Sequence, residues 1–170
     1  ISTTYNDSKI SLVGVKDKPG VAAAIFRPLS KNSINVDMVV QNISANGKET
    51  DLTFTIKAED LNKTKKIIQS NKSIKYRKLI LKKDVSKISV IGVGMITTPG
   101  VTFRMFQTLA NKRINIQVIS TSEIKISVLI DKKDTKKALI ALHKEFKLDN
   151  KRWVLDLSEI LKEKKQKKLM

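Results

Sequence analysis

The sequence has no cysteine, so it forms no disulfide and offers no thiolate to a metal, a usage that suits a reducing cytoplasm. It has a single histidine, His143, so no histidine cluster can hold a metal ion. His143 falls on a lysine-rich amphipathic stretch beside the apolar stripe, where it reads as a surface residue. No uninterrupted apolar run is long enough to read as a membrane span, and no basic-apolar-small leader opens the chain, so neither a membrane partner nor secretion is expected. The G-x-x-x-x-G-K-[ST] loop, the G-x-S-x-G elbow and the H-E-x-x-H pair are all missing. Asp17, Asp37, Asp51 and Glu123 are scattered carboxylates with no partner acid at a defined spacing. No catalytic residue and no metal ligand are therefore assigned.

Acidic residues are scarce as well: 16 Asp and Glu stand against 34 Lys and Arg, a net charge of +18. Such a charge attracts nucleic acid and acidic surfaces, but basicity is permissive and the lysines are spread over helix faces and turns. The first residue is Ile1, not Met, which reads as a fragment or a chain that has lost its leading residues. An apolar fraction of 41% in 170 residues fits a folded protein of two small modules.

What the chain does have is a repeat. Lys9-Ile10-Ser11-Leu12-Val13-Gly14-Val15 returns as Lys87-Ile88-Ser89-Val90-Ile91-Gly92-Val93. Pro19-Gly20-Val21 returns as Pro99-Gly100-Val101, and Ser33-Ile34-Asn35-Val36 as Arg113-Ile114-Asn115-Ile116. A unit of this length is too long for a solenoid repeat and long enough for a small domain.

Each copy opens with a short apolar run, Ile10 to Val15 or Ile88 to Val93, which predicts a strand. A loop ending in Pro-Gly leads into a helix, where proline suits the first turn because its missing N–H leaves no bond unmade. Ala22, Ile25, Phe26 and Leu29 fall on one helical face, and Thr102, Met105, Phe106 and Leu109 repeat the spacing. Asn32 and Asn111 lie where these helices end. Second strands are expected over Ile34 to Ile43 and Ile114 to Ser120, followed by turns at Ala45 to Lys48 and around Thr121-Ser122-Glu123. Third strands follow at Asp51 to Ile56, with Leu52, Phe54 and Ile56 facing one way, and at Ile124 to Ile130. Leu61, Thr64 and Ile68 mark a second helix in the first copy; Ala138, Leu139, Leu142 and Phe146 mark its counterpart. Tyr76 to Leu81 and Trp153 to Leu157 are the closing strands. The lysine-rich tail from Glu159 to Met170 reads as a solvated end, its apolar face being too short for a membrane-binding helix.

Strand-helix-strand-strand-helix-strand, twice, is an α+β chain of two ferredoxin-like βαββαβ domains, with antiparallel sheets and helices on one face. The domains are placed at residues 1–84 and 85–170. Their open sheet faces need cover, so pairing of the copies and dimerisation are expected. The same topology carries the RNA-recognition motif, which needs aromatic side chains on its central strands to stack bases. Here those strands read Ile-Ser-Leu-Val, Ile-Ser-Val-Ile and Ile-Ser-Val-Leu, with Phe54 the only well-placed aromatic in a chain that is 5% aromatic, so no nucleic-acid partner is expected.

The loops between first strand and first helix hold the remaining chemistry. Glycine there lets a ligand approach the backbone, and a helix N-terminus presents unpaired N–H groups to a carboxylate. Asp17, Asp37, Gln41, Asn115, Ser122 and Glu123 are oxygen-bearing side chains able to accept from an ammonium group. Together they suit a free amino acid. The alternative, that Pro-Gly only makes the turn and the polar residues only cap strands, stands equally open on local chemistry.

At these residues the sequence resembles tandem ACT domains, specifically the regulatory region of aspartate kinase. The resemblance rests on Gly14-Val15-Lys16-Asp17-Lys18-Pro19-Gly20, on Ile34 to Ser44, and on Ile114-Asn115-Ile116-Gln117-Val118-Ile119-Ser120-Thr121-Ser122-Glu123-Ile124-Lys125-Ile126-Ser127, and it covers about Lys9 to Leu148. It implies a small regulatory subunit or the C-terminal part of an enzyme that phosphorylates the aspartate side chain with ATP. That catalytic domain would lie ahead of Ile1, and ATP and Mg would belong to it; no cofactor is implied for this region. The resemblance further implies an effector, lysine, threonine or both, held between paired ACT units, and a homodimer through those units. Carried over by motif, one effector site draws on Asp17, Gly20, Ala22, Asp37, Gln41 and Asn42, with Asn115 and Ile116 facing it from the second copy. A second site draws on Met95, Gly100 and Thr102, with Ser122 and Glu123. Ile96-Thr97-Thr98 departs from the basic or histidine-containing segment that relatives often carry, so the two sites are expected to be unequal. The resemblance also lets the last strand complete the sheet of the first domain. The competing expectation is a tandem ACT scaffold that binds no small molecule and only dimerises.

Overall fold

The computed structural model describes residues 1–43, 47–92 and 99–148. The strands are β1 (Ser2–Lys16), β2 (Asp37–Ile43), β3 (Glu49–Lys57), β4 (Lys78–Ile91), β5 (Val118–Thr121) and β6 (Lys125–Asp131). The helices are α1 (Val21–Lys31), α2 (Leu61–Ser70), α3 (Val101–Asn111) and α4 (Thr135–Glu145). Among the described residues these six strands form one antiparallel sheet in the order β2-β3-β1-β4-β6-β5.

The ferredoxin-like order is present in both copies, but the copies share strands. The expected closing strand of the first copy and opening strand of the second are one continuous strand, β4, running through Asp84. Lys82-Lys83-Asp84-Val85 contains no glycine or proline to break the run; only Asp84, at φ 54, marks the crossing. The early half of β4 closes the first copy, Leu81 pairing with Ile10 and Leu79 with Leu12. Its late half opens the second copy against β6. The place beside that late half belongs to the start of β1, where Ser2 pairs with Ser89 and Thr4 with Lys87. Each copy's first strand thus extends upstream to close the other copy's sheet. The closing strand expected at Trp153 to Leu157, and Ala45 and Asn46 of the first turn, lie outside the described residues.

The second strands start later than expected. Ile34 N–H donates to Leu29 carbonyl and Ile114 N–H to Leu109 carbonyl, both at 3.0 Å, so these residues cap α1 and α3 before the chain reaches the sheet. Ser33 and Arg113, at φ 58 and 54, make the reversal.

Two apolar cores lie under the helices. Ile10, Leu12, Leu52, Phe54 and Ile56 meet Ile25, Leu29, Leu61 and Ile68 in the first; Ile88, Val90, Ile126, Val128 and Ile130 meet Met105, Leu109, Ala138 and Leu142 in the second. Phe26 meets Phe54 edge-on with centroids 5.2 Å apart. Ala22 is only half-buried and Thr102 is exposed, so neither helix buries its first predicted position. His143 is half-buried, its Nδ1 2.8 Å from Leu139 carbonyl.

A third core covers the opposite face. Met38 and Val40 of β2 join Val118 of β5, Val85 and Leu129, because the sheet curls until its two edge strands approach each other. That is why Ile126 to Ile130 is buried on both faces, apolar but for Ser127, whose hydroxyl is 2.8 Å from that of Ser89. The open face expected to need cover is covered here, in part, by the other copy. Ion pairs rim it: Asp37 with Lys87, and Asp131 with Lys82 at 2.6 Å.

Candidate functional site: paired clefts at helix N-termini

The two loop-to-helix junctions have the same backbone. Gly20 (φ 86, ψ −1) and Gly100 (φ 87, ψ −1) both sit in the left-handed region just ahead of their helices, a conformation that favours glycine. Among the described residues no side chain caps either helix, and neither has an acidic residue in its first turn. In α1 the Val21 N–H is taken by Lys18 carbonyl, so among the described residues it is the amides of Ala22 and Ala23 that are left for a ligand or water, and α3 presents the same positive end of its helix dipole.

Beside α1 lies a cleft of about 410 Å³ lined by Asp17, Lys18, Pro19, Gly20, Val21, Ala22 and Gln41. The loop is held in place where Asp17 N–H donates to Lys48 carbonyl at 3.0 Å and Val21 N–H to Lys18 carbonyl at 3.2 Å. Beside α3 lies a second cleft, of about 350 Å³, lined by Gly100, Thr102, Thr121, Ser122, Glu123 and neighbouring apolar residues. Both volumes fall in the range of ~300–1,000 Å³ usual for small-molecule sites. Each cleft therefore combines helix amides, which suit a carboxylate, with one carboxylate side chain, which suits an ammonium.

The structure brings together Asp17, Gly20, Ala22 and Gln41 in the first cleft, and Gly100, Thr102, Ser122 and Glu123 in the second. Other predicted residues stand elsewhere. Asp37 lies at the seam between the copies, paired with Lys87 and accepting from Met38 N–H at 2.8 Å. Burial works to raise its pKa, but the bonds from Lys87 and Met38 outweigh it and hold the carboxyl below its ordinary value. Asn42 follows Gln41 on the exposed edge strand, its carbonyl accepting from Thr50 at 2.9 Å. Asn115 is exposed, and Ile116 packs on the second core. Neither lines the first cleft within this chain. Met95 lies outside the described residues. The predicted site sets leave out Lys18, Pro19 and Val21 of the first cleft and Pro99, Val101, Thr121 and Ile126 of the second; adjacency to the residues they name, and the repeated Pro-Gly-Val, were the signals that could have found most of them.

Among the described residues no group of three His, Cys, Asp or Glu side chains is placed to hold a metal. No described helix is long and apolar enough to cross a membrane.

Two ferredoxin-like units sharing strands, each with a bare helix N-terminus above a polar cleft, define a class, and comparison with known proteins gives the same one. The family profile of the ACT domain matches residues 10–71 and 88–146. The regulatory subunit of aspartate kinase from Thermus thermophilus, solved ligand-free, superposes with a TM-score of 0.77 at 34% identity, over 85% of this chain and 95% of that one. A structure of aspartokinase alpha and beta subunits gives 0.75 at 39% identity, over 86% and 98%. The aspartate kinase of Pseudomonas fluorescens is 43% identical over 150 residues, which is 88% of this chain but 36% of that protein. The chain belongs to the ACT-domain family, as a regulatory region of the aspartate kinase type.

Proposed function

We propose that this region senses an aspartate-derived amino acid, lysine, threonine or both, and feedback-inhibits phosphorylation of aspartate by an attached catalytic domain or a partner catalytic subunit. The observation that carries the reading is the repeated cleft, in which uncapped helix amides and an acidic side chain face one small volume. The effector carboxylate takes the amides of Ala22 and Ala23 in the first turn of α1, Asp17 takes the ammonium, and Gln41 reaches in from β2. The kinship with regulatory subunits, and with a structure that holds alpha and beta subunits, supports a catalytic partner of that kind. ATP and Mg would bind in that partner, and the cytoplasm is the compartment proposed.

Gln41 stands on β2, which pairs only with β3 among the described residues. A second copy approaching that edge would complete the cleft and give Asn115 and Ile116 a way to face it. Binding then fixes the arrangement of two ACT units. A ligand can shift such an equilibrium only by its differential affinity for the two states, and a cleft completed on docking supplies that difference. A thermal-shift screen against the aspartate-derived amino acids tests the reading, because a ligand of the folded state raises the melting temperature by mass action. A rise with lysine or threonine is expected; no rise with any of them leaves the dimerising scaffold.

A further inference from the structure

We propose that an apolar stretch beyond α4, residues 153–161 of the same chain, folds back along the outer face of α3 and α4 and covers it. Such a cover is independent of what either amino-acid cleft binds.

Phe103 and Ile140 are 67% and 63% exposed, and among the described residues they are the only large apolar side chains left exposed on any helix. Each stands two positions from buried residues of its own helix, Phe103 from Met105 and Ile140 from both Ala138 and Leu142. Two positions are a rotation of about 200°, which turns both side chains away from the core. The helices are joined where Arg104, next to Phe103, donates from Nε to Glu145 Oε1 at 2.7 Å and lies over the Phe146 ring. Lys136 and Lys144, both exposed, stand one turn to either side of Ile140.

The first copy shows that the fold does not need these residues. With Ile25 matched to Met105 and Ile68 to Leu142, Phe103 corresponds to Ala23 and Ile140 to Lys66. Both copies bury the same inner positions, yet only the second carries large apolar groups outside. The chain after α2 goes on into β4, whereas the place for a strand after α4, beside the late half of β4, holds Ser2 to Thr4.

The end of α4 starts the segment on this surface. Leu148 N–H donates to His143 carbonyl at 2.9 Å, with Lys147 at φ 53, the same reversal that follows α1 and α3. There the corresponding residues, Ile34 and Ile114, are buried and lead into the sheet; Leu148 is exposed. Trp153 is five residues further on, a reach of up to ~17 Å, which matches the length of the 11-residue α4. Residues 153–161 lie outside the described ones, but their sequence carries a stripe: Trp153, Val154, Leu157, Ile160 and Leu161 share one side at helical spacing. Asp156 flanks that stripe, a charge that suits the lysines around Ile140.

Trp153 is the only tryptophan in the chain, so its fluorescence reports the cover directly. In the full chain its emission is expected to be blue-shifted from that of the isolated 149–170 peptide and less quenched by acrylamide, and to stay so on dilution. Phe103→Ser/Ile140→Ser should return the emission to that of the peptide and leave the far-ultraviolet circular dichroism unchanged, since both side chains are exposed. Leu157→Ser/Ile160→Ser, which alters the segment alone, should do the same. Val39→Ser/Ile43→Ser and Ile80→Ser remove exposed apolar groups from the sheet and should leave the emission as in wild type. Peptide-like emission in wild type would overturn the cover and leave the face to a partner protein. A shifted emission that Phe103→Ser/Ile140→Ser does not alter, or that a sheet variant abolishes, would overturn the placement on α3 and α4. Loss of the shift on dilution would overturn it in favour of a segment supplied by a second copy.

Discussion

Gly20 and Gly100 hold their junctions at φ 86 and 87, where a Cβ meets the following carbonyl. Gly100→Ala should therefore cost about 1–2 kcal/mol of stability, read as a lower urea midpoint, although open space surrounds the position. Ser86 behaves in the opposite sense. It is fully buried, and its hydroxyl has no partner among the described residues. Ser86→Ala should be neutral to stabilising by ~1 kcal/mol, since it removes an unsatisfied group without opening a large cavity. Two carboxylates set the acid limit. Lys82 bonds to Asp131 and, with lesser help from Gln117, holds its pKa below the ordinary 3.8 against the opposing effect of burial. Asp37 is lowered by Lys87 and Met38, again against burial. A depressed carboxyl contributes stability that is complete above the unfolded value, near 3.8, and is lost as pH falls through the native value. The urea midpoint should therefore fall below about pH 4, and the gap between wild type and Asp37→Asn/Asp131→Asn should be wide at pH 7 and narrow by pH 3.

At the scale of elements the sequence was most readable where periodicity is local. Leu61, Thr64 and Ile68 are buried as their helical spacing implies, and so are Leu52, Phe54 and Ile56 at alternating positions of β3. Strand exchange was not readable, because it is a long-range pairing: nothing in Ser2-Thr3-Thr4 signals that it lies against Lys87 to Ser89. Ile1, partly buried on the second core, anchors the same arm. Deleting residues 1–5 should therefore cost roughly 2 kcal/mol through lost ladder bonds and apolar cover. The loss should appear as faster amide exchange in Val90 and Val128, with Phe54 of the other copy much less affected. Uniform acceleration in both copies would show instead that the sheet opens as one unit.

At the scale of the whole molecule the duplication gives two clefts with one backbone and different side chains. Asp17, Gly20, Ala22 and Gln41 could be placed from sequence because they flank one turn and one strand edge. Asp37, Asn115 and Ile116 stand away from that cleft within this chain, Asp37 paired with Lys87 and Ile116 packed on the second core, and such long-range placement has no local signal in the sequence. The central claim is that the cleft beside α1 binds an effector amino acid. Calorimetric titration of lysine and of threonine into wild type and Gln41→Ala tests it most directly. Saturable binding of at least one amino acid, weakened about tenfold or more in a variant that keeps its circular dichroism spectrum, is the predicted result. Affinity for both amino acids unchanged by Gln41→Ala, or no binding to wild type, would contradict it.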